Sequence, residues 1–340
     1  MKHKAIILAL FLLTSCQPNQ PIKSHGYSDL ISTIEFMLSN NNFNGVVHLK
    51  NDASTVYSKA IGYSDLEKKT PINLNDQFVI GSISKQFTAV LVLKEYEAGK
   101  IQLDDTISQY LTGIEQPWSQ VVTIHQLLTH THGIMAIDKP LEFTAGTQFH
   151  YSQLGYELLA QILEKVTGKS FQQLSTSLFE KYGLTQTFHP NNENYKHLVK
   201  GYTENQKGEL IYSSNSLQNY AAAGSFISNA EDLSLWNHLL YSNKLVKSET
   251  LSLMKTKYAT RTHPIFGIVD YGYGLLFNEG QQNKQIGALG YAPGFVSASY
   301  YYPEIKMNLI VLGNTARNLD DFKVTFKAHT ELMDLILEVE

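Results

Sequence analysis

Cysteine and arginine are almost absent from this chain of 340 residues. The only cysteine, Cys16, excludes a disulfide framework and any zinc or iron–sulfur site built from several thiolates. Arg261 and Arg317 are the two arginines, and 31 acidic residues outnumber 27 basic ones. A nucleic-acid-binding protein carries clusters of basic residues instead. The composition therefore argues against nucleic acid as a partner.

Long apolar segments are missing as well. Residues 5–13 form an apolar run that is too short for a membrane helix, which needs about 20 residues. Lys2 and Lys4 precede this run, and a short positive segment followed by a short apolar one is typical of a signal peptide. We therefore expect residues 1–15 to be a signal peptide and not part of the folded protein.

The residues that end this segment, Leu13-Thr14-Ser15-Cys16, resemble a bacterial lipobox. The resemblance implies cleavage before Cys16 and attachment of lipid to that residue. Residues 16–27 would then be a polar tether that holds the protein at a membrane surface of the bacterial cell envelope. Ordinary secretion with an unmodified cysteine is the alternative.

Helix and strand patterns follow in a definite order along a chain that is 43% hydrophobic and 17% charged, as is typical of globular proteins. Apolar periodicity predicts helices at residues 28–38, 82–98, 153–166, 170–182 and 321–337, and strands at 45–50, 55–62, 271–277, 296–302 and 307–312. We predict an α+β fold, an α/β sandwich whose antiparallel sheet is built from both chain ends and flanked by helices, with an inserted, mainly helical region. One domain would span residues 28–340, with residues 28–80 and about 200–340 in the sheet region and 81–200 in the helical region.

A short motif, Gly81-Ser82-Ile83-Ser84-Lys85, is the strongest indication of chemistry. Ser82 and Lys85 are three positions apart, so on a helix they share one face. A lysine in a desolvated pocket has a lowered pKa and can accept the proton of a serine hydroxyl. Ser82 is also the predicted N-cap of its helix, where the positive end of the helix dipole can stabilise an oxyanion. By itself, however, so short a motif is more typical of a capped helix with an exposed lysine.

Further motifs accompany this one at residues 81–89 (GSISKQFTA), 127–131 (LLTHT), 151–153 (YSQ), 223–228 (AGSFIS), 271–275 (YGYGL) and 293–295 (PGF). Together they resemble the class C β-lactamase, D,D-peptidase and esterase superfamily of serine hydrolases over residues 28–338. The resemblance implies a β-lactamase/transpeptidase-like fold. It also implies roles for three residues: Ser82 as the acylated nucleophile, Lys85 as its proton acceptor, and Tyr151 as the group that passes the proton to the leaving group.

Two motifs of this superfamily depart from its usual pattern: the second, which here is YSQ at residues 151–153, and the third, which here is GALGY at residues 287–291. Gln153 stands where an asparagine usually contacts the substrate, and keeps the amide chemistry. Ala288 and Leu289 replace a cation and a hydroxyl that would bind a substrate carboxylate. Gly290 is retained, and the backbone N–H of Tyr291 would provide the second oxyanion donor. The resemblance therefore implies intact acylation chemistry with altered anion recognition.

This altered motif predicts a preference for small neutral esters over β-lactams, because a neutral ester loses nothing when the carboxylate-binding groups are missing. If anionic substrates are used after all, another cation has to bind them. Arg317, just after the last predicted strand, is the sequence candidate for that cation.

Other kinds of chemistry find little support. His125, His130 and His132 are spaced so that two imidazoles could meet, but no cysteine or H-E-x-x-H helix accompanies them, so we expect no metal. The G-x-S-x-G turn of α/β-hydrolases, the G-x-G-x-x-G motif and the Walker loop are also absent from the sequence, and no cofactor is expected.

The leading hypothesis is a serine hydrolase that forms an acyl-enzyme on Ser82 with an ester, an amide or a peptidoglycan-type peptide. A D,D-carboxypeptidase or β-lactamase is one alternative. A catalytically degenerate lipoprotein that only binds cell-wall peptides is the other, although a binding protein has no physical need for Ser82, Lys85 and Tyr151 together.

Overall fold

The computed structural model describes residues 27–192, 194–214, 220–278 and 284–339. The predicted signal peptide, the lipidation site Cys16 and nearly all of the tether lie outside these residues. Within the described ranges, no helix is both long enough and apolar enough to cross a membrane.

The helices of the described residues are α1 Ser28–Asn40, α2 Ser84–Glu97, α3 Ile124–Leu128, α4 Gln153–Thr167, α5 Phe171–Tyr182, α6 Ala221–Gly224, α7 Ala230–Tyr241, α8 Ser248–Met254, α9 Phe322–Thr325 and α10 Lys327–Leu337. Their limits follow from local capping. The hydroxyl of Ser152 accepts a hydrogen bond at the start of α4, and Ser170 forms a capping box with Gln173 at the start of α5. Gly168 and Gly183 end these two helices at φ +70° and +76°, a conformation that glycine adopts without strain.

The strands are β1 Gly45–Asn51, β2 Thr55–Ile61, β3 Tyr63–Asp65, β4 Thr70–Pro71, β5 Phe78–Val79, β6 Tyr202–Glu204, β7 Leu210–Tyr212, β8 Ile227–Ser228, β9 Ala259–His263, β10 Gly267–Tyr271, β11 Leu276–Asn278, β12 Ile286–Ala292, β13 Phe295–Tyr302, β14 Met307–Gly313 and β15 Thr315–Ala316.

The central sheet has the strand order β2-β1-β14-β13-β12-β11-β10-β9, and all of its neighbouring pairs are antiparallel. The N-terminal hairpin β1–β2 therefore joins the C-terminal strands through the β1–β14 pair, in which Val47 lies opposite Val311. The predicted α+β fold, with an antiparallel sheet built from both chain ends, is confirmed.

Successive strand residues face opposite sides of this sheet, and each side has its own core. Val47 and Val311 pack with α1 and α10 on one side. Val46 and Ile310 pack on the other side with α7 and with helices of the region 81–200, α2 and α4 among them. The sheet is thus covered by helices on both faces, and the helical region brings its residues against strand β12.

Two predicted elements differ from the structure. The predicted strand at residues 271–277 is interrupted by a turn closed by the hydrogen bond from Gly272 N to Leu275 O, 3.0 Å. Gly274 has φ +69° and lies so close to α2 that a Cβ there would be 2.9 Å from the backbone oxygen of Lys85. The turn therefore forms where the chain packs against this helix. The predicted closing helix also divides in two at Phe326, whose φ and ψ of −97° and 9° are not helical.

Candidate active site

Ser82 lies in a single turn of 3₁₀ helix, Gly81–Ile83, between strand β5 and helix α2. The predicted N-cap role of Ser82 is wrong: α2 begins at Ser84, and no side chain makes a capping hydrogen bond at its start. Gly81 has φ +55°, which turns the chain sharply out of β5 and leaves the Ser82 side chain partly exposed. Strand β5 is itself held by pairing with β8, which fixes the position at which the turn before the helix begins.

Strand β12 passes directly against this turn. A Cβ built on Gly81 would lie 2.7 Å from the Gly290 carbonyl carbon and closer still to Tyr291 N. A Cβ built on Gly290 would lie 2.9 Å from the Ile80 carbonyl carbon and closer still to its oxygen. Only glycine fits at both positions, and the backbone nitrogen of Tyr291 is thereby held against the residue that precedes Ser82.

Lys85 is the most deeply buried charged group near Ser82, with 1% of its surface exposed. Its Nζ lies 3.4 Å from Ser82 Oγ and donates hydrogen bonds to Gln153 Oε1 at 2.7 Å and to Ala223 O at 2.6 Å. Burial lowers the pKa of Lys85 from its ordinary value of 10.5. The structure therefore brings Ser82, Lys85 and Gln153 together.

Tyr151 stands just before α4 and faces Lys85, whose Nζ is 4.6 Å from the centre of the Tyr151 ring. His130 packs against the same ring at 4.4 Å between centroids. Burial holds the pKa of His130 well below 6.5, so the imidazole is neutral. Its Nδ1 accepts a hydrogen bond from Ser152 N. Nε2 therefore carries the proton and donates a hydrogen bond to the Tyr271 hydroxyl, 3.1 Å away.

These hydrogen bonds give His130 a structural function next to the catalytic candidates. His125 is engaged elsewhere, with Nδ1 2.8 Å from the Tyr273 hydroxyl, and His132 Nδ1 accepts a bond from Ile134 N. Among the residues that the structure describes, no group of three or more potential ligands is arranged to hold a metal ion.

Glu157 is a titratable group that the motifs did not indicate. It lies one helical turn after Gln153, and burial raises its pKa to about 7. Lys85 and Glu157 influence each other electrostatically, and Glu157 Oε1 is buried without a hydrogen-bond partner in the described part of the chain. The sequence does not single out Glu157, because its position in the helical pattern is that of an ordinary surface residue. Only the packing of α4 against Lys85 shows that this carboxyl group is buried next to the amine.

A cleft of about 280 Å³ opens beside Ser82. It is lined by Ser82, Tyr151, Gln153, Arg261, His263, Pro264, Ile265, Leu276, Leu289, Tyr291, Phe322 and Phe326. Ala288, where the superfamily pattern has a cation, is 4% exposed and packs into the core on the helical side of the sheet.

The cation that reaches this cleft is Arg261 of β9. Its guanidinium carbon lies 5.2 Å from the centre of the Tyr151 ring. Arg317, the candidate from the sequence, is instead paired with Glu204 at 3.0 Å and lines a different depression, beside His329. The sequence offers no signal for Arg261 beyond the scarcity of arginine, because only the pairing of β9 with β10, and of β10 with β11, brings it next to the cleft.

The fold and the cleft together define a serine hydrolase of the β-lactamase and penicillin-binding-protein superfamily. The family model described as beta-lactamase matches residues 35–333, and the chain belongs to this family. Penicillin-binding protein 4* of Bacillus subtilis (strain 168) is 24% identical over 353 residues, a match that covers 92% of this chain and 77% of the relative.

Two further similarities extend the comparison. Teichoic acid D-alanine hydrolase of Staphylococcus aureus is 26% identical over 264 residues, which cover 71% of this chain and 64%, just under two thirds, of the relative. The crystal structure of D-amino acid amidase from Ochrobactrum anthropi SV3, complexed with L-phenylalanine amide, shares the fold with a TM-score of 0.80 and 21% identity. That match covers 92% of this chain and 98% of the amidase chain.

Proposed function

We propose that this protein hydrolyses an ester or amide through an acyl-enzyme on Ser82, with Lys85 and Tyr151 as the proton-transfer residues. The observation that carries the proposal is the environment of Lys85. A fully desolvated lysine has a lowered pKa, and its Nζ is 3.4 Å from the Ser82 hydroxyl oxygen. In its neutral form this amine can accept the serine proton, which an exposed lysine at neutral pH cannot do.

In the first half of the reaction, the Ser82 proton passes to Lys85 Nζ as Oγ attacks the substrate carbonyl carbon. The backbone N–H groups of Ser82 and Tyr291 stabilise the resulting oxyanion. The bond to the leaving group then breaks, and the leaving group takes its proton from the Tyr151 hydroxyl, which is restored from Lys85. In the second half, a water molecule gives its proton to the same pair and attacks the carbonyl carbon of the acyl-enzyme. The bond to Ser82 Oγ then breaks, the carboxylic acid leaves, and Oγ regains its hydrogen from the pair.

Gln153 has two functions in this scheme. Its Oε1 accepts the 2.7 Å hydrogen bond from Lys85 and orients the amine. Its Nε2 donates no hydrogen bond to another described residue, so it remains available for the acyl-side amide oxygen of a substrate. The longer side chain of glutamine, compared with asparagine, is thus compatible with both contacts.

The relatives suggest the substrate class. One is named for teichoic acid D-alanine and a structural neighbour for D-amino acid amides. We propose an acyl group derived from a D-amino acid, and a location in the bacterial cell envelope with the lipid on Cys16 as its membrane anchor. Small D-alanyl esters and D-alanyl amides are therefore the first substrates to test.

Labelling by a fluorophosphonate, read by intact mass, tests the nucleophile. The wild type should gain one adduct, and Ser82→Ala should gain none while its melting temperature stays within a few degrees, because Ser82 makes no capping hydrogen bond. Lys85→Ala should also lose labelling, because the serine then lacks its base.

Lys94→Ala is the matched control on the same helix. Lys94 Nζ donates to Leu245 O at 2.8 Å and to the Tyr182 hydroxyl at 3.2 Å, so the variant loses structural hydrogen bonds but not the base. It should be labelled like the wild type. Labelling of Ser82→Ala, or none in the wild type, would contradict the proposal, and the second result would favour a protein that only binds its ligand.

A further inference from the structure

Arg261 occupies an unusual position for a cation. It lies on β9, the last strand of the central sheet, and its guanidinium is half-buried between two aromatic rings, 5.2 Å from the Tyr151 centroid and 5.4 Å from that of Phe149. The same strand and the turn after it bring His263 and Ile265 to the cleft wall. Arg261 thus belongs to the wall that Tyr151 also forms.

Among the residues that the structure describes, no acidic partner neutralises this guanidinium. In the described ranges Arg261 forms no ion pair and its side chain donates no hydrogen bond, whereas Arg317 is paired with Glu204. The groups that act on it electrostatically are the hydroxyls of Tyr151 and Tyr271. His263 beside it is neutral, because burial and Arg261 lower its pKa to about 4.

An unpaired, partly desolvated charge is unfavourable in a folded protein unless a ligand neutralises it. Burial lowers the pKa of Arg261, yet an arginine remains protonated at neutral pH, so its five N–H groups remain donors. Their planar fork matches the two oxygens of a carboxylate. The neighbouring cleft walls, Leu276 and Leu289 among them, are apolar and strengthen such a contact by excluding water.

We propose that Arg261 binds a carboxylate on the leaving group of the substrate, at a subsite formed by β9 and not by positions 288 and 289 of β12. The assignment to the leaving-group side rests on the proposed function, in which Tyr151 protonates the leaving group. A cation packed against Tyr151 lies on that side of Ser82. Arg261 is thus a specificity-determining residue, and the predicted preference for neutral esters is reversed for esters whose leaving group carries a carboxylate.

Two esters that differ in one group test this assignment: N-acetyl-D-alanyl-D-lactate, with a free carboxylate on the leaving group, and N-acetyl-D-alanyl-D-lactamide, in which that carboxylate is an amide. In the wild type we expect kcat/KM to be about ten- to a hundredfold higher for the acid, as is typical of a charge-assisted hydrogen bond. Arg261→Gln should bring the ratio of the two values close to one. Arg261→Lys should keep part of the preference, because it retains the charge but not the fork.

Arg317→Gln is the matched control, because it removes the other arginine, which is paired at the surface and lines a separate depression. It should leave the ratio unchanged. Equal kcat/KM for the two esters in the wild type, or an undiminished preference in Arg261→Gln, would overturn the proposal.

A binding measurement separates this proposal from the catalytic one. In Ser82→Ala, which cannot form an acyl-enzyme, calorimetry should show tighter binding of N-acetyl-D-alanyl-D-alanine than of its C-terminal amide. The difference should disappear when Arg261→Gln is added. If the wild type fails to react with fluorophosphonate but this difference is present and depends on Arg261, the proposed hydrolysis is wrong and the subsite is supported. If both ligands bind equally, the subsite is wrong whatever the activity.

Discussion

Replacing Gly290 by alanine should separate the nucleophile from the backbone donor that we assign to its oxyanion. A Cβ at this position would lie 2.9 Å from the Ile80 carbonyl carbon and closer still to the oxygen, whereas ordinary contacts begin at 3.4 Å. The clash is with backbone, so no side-chain rotation relieves it. Strand β12 would have to move away from the turn by roughly 1 Å.

A shift of this size has two expected consequences. Overpacking of a tightly packed site typically costs about 1–3 kcal/mol of folding free energy, which urea unfolding measures. The Tyr291 N–H would also leave the range of about 2.7–3.1 Å in which an oxyanion donor is effective, and loss of one such donor lowers kcat by about 10²- to 10³-fold. We expect kcat/KM for p-nitrophenyl acetate to fall by this factor at a temperature where the variant is fully folded.

Gly224→Ala is the matched control. Gly224 also lies next to Gly81, but its Cβ would meet nothing closer than 3.8 Å, an ordinary contact. This variant should retain activity close to that of the wild type. If Gly290→Ala is folded and its kcat/KM is within threefold of the wild-type value, the close approach of β12 to the turn does not serve catalysis, and the oxyanion function of Tyr291 is refuted.

Two further predictions concern the proton-transfer site and the chain before the folded domain. Glu157→Gln removes a carboxylate that raises the pKa of Lys85 when it is ionised, so the acid limb of the kcat/KM profile should move to lower pH; a shift to higher pH, or none, would contradict the coupling. Cys16→Ser in the full-length chain should transfer the protein from the detergent phase to the aqueous phase in a Triton X-114 partition, and a wild type already found in the aqueous phase would show that Cys16 carries no lipid.

Much of the site was predictable because its parts are local or carried by short motifs. Ser82 and Lys85 are one helical turn apart, and their proximity follows once that segment is helical. The position of Tyr151 before α4 is likewise encoded locally, by the capping serine at 152 and the helical pattern that follows. Gln153 was identified at the start of the same helix as a substrate-binding candidate, but its hydrogen bond from Lys85 is found only in the structure.

Other parts depended on how distant segments pack. The predicted strand at residues 271–277 breaks because Gly274 meets the backbone of α2, a contact that no local pattern records. Ser82 was predicted as a helix cap from its residue type. The approach of β12 and the left-handed conformation of Gly81 place it in a 3₁₀ turn instead.

By itself, the amino-acid sequence determined the class of fold, the Ser82–Lys85 pair and the loss of the usual cation at position 288. Alternating and helical periodicities and short motifs are properties of residues that are near each other in sequence, so they can be recognised without the tertiary structure. Which of the two arginines faces the cleft depends on the order of the strands in the sheet, which the sequence alone did not predict. The β9–β10 hairpin extends the sheet beyond β11 and carries Arg261 to Tyr151, while Arg317, directly after β15, pairs with Glu204 and lines a different depression.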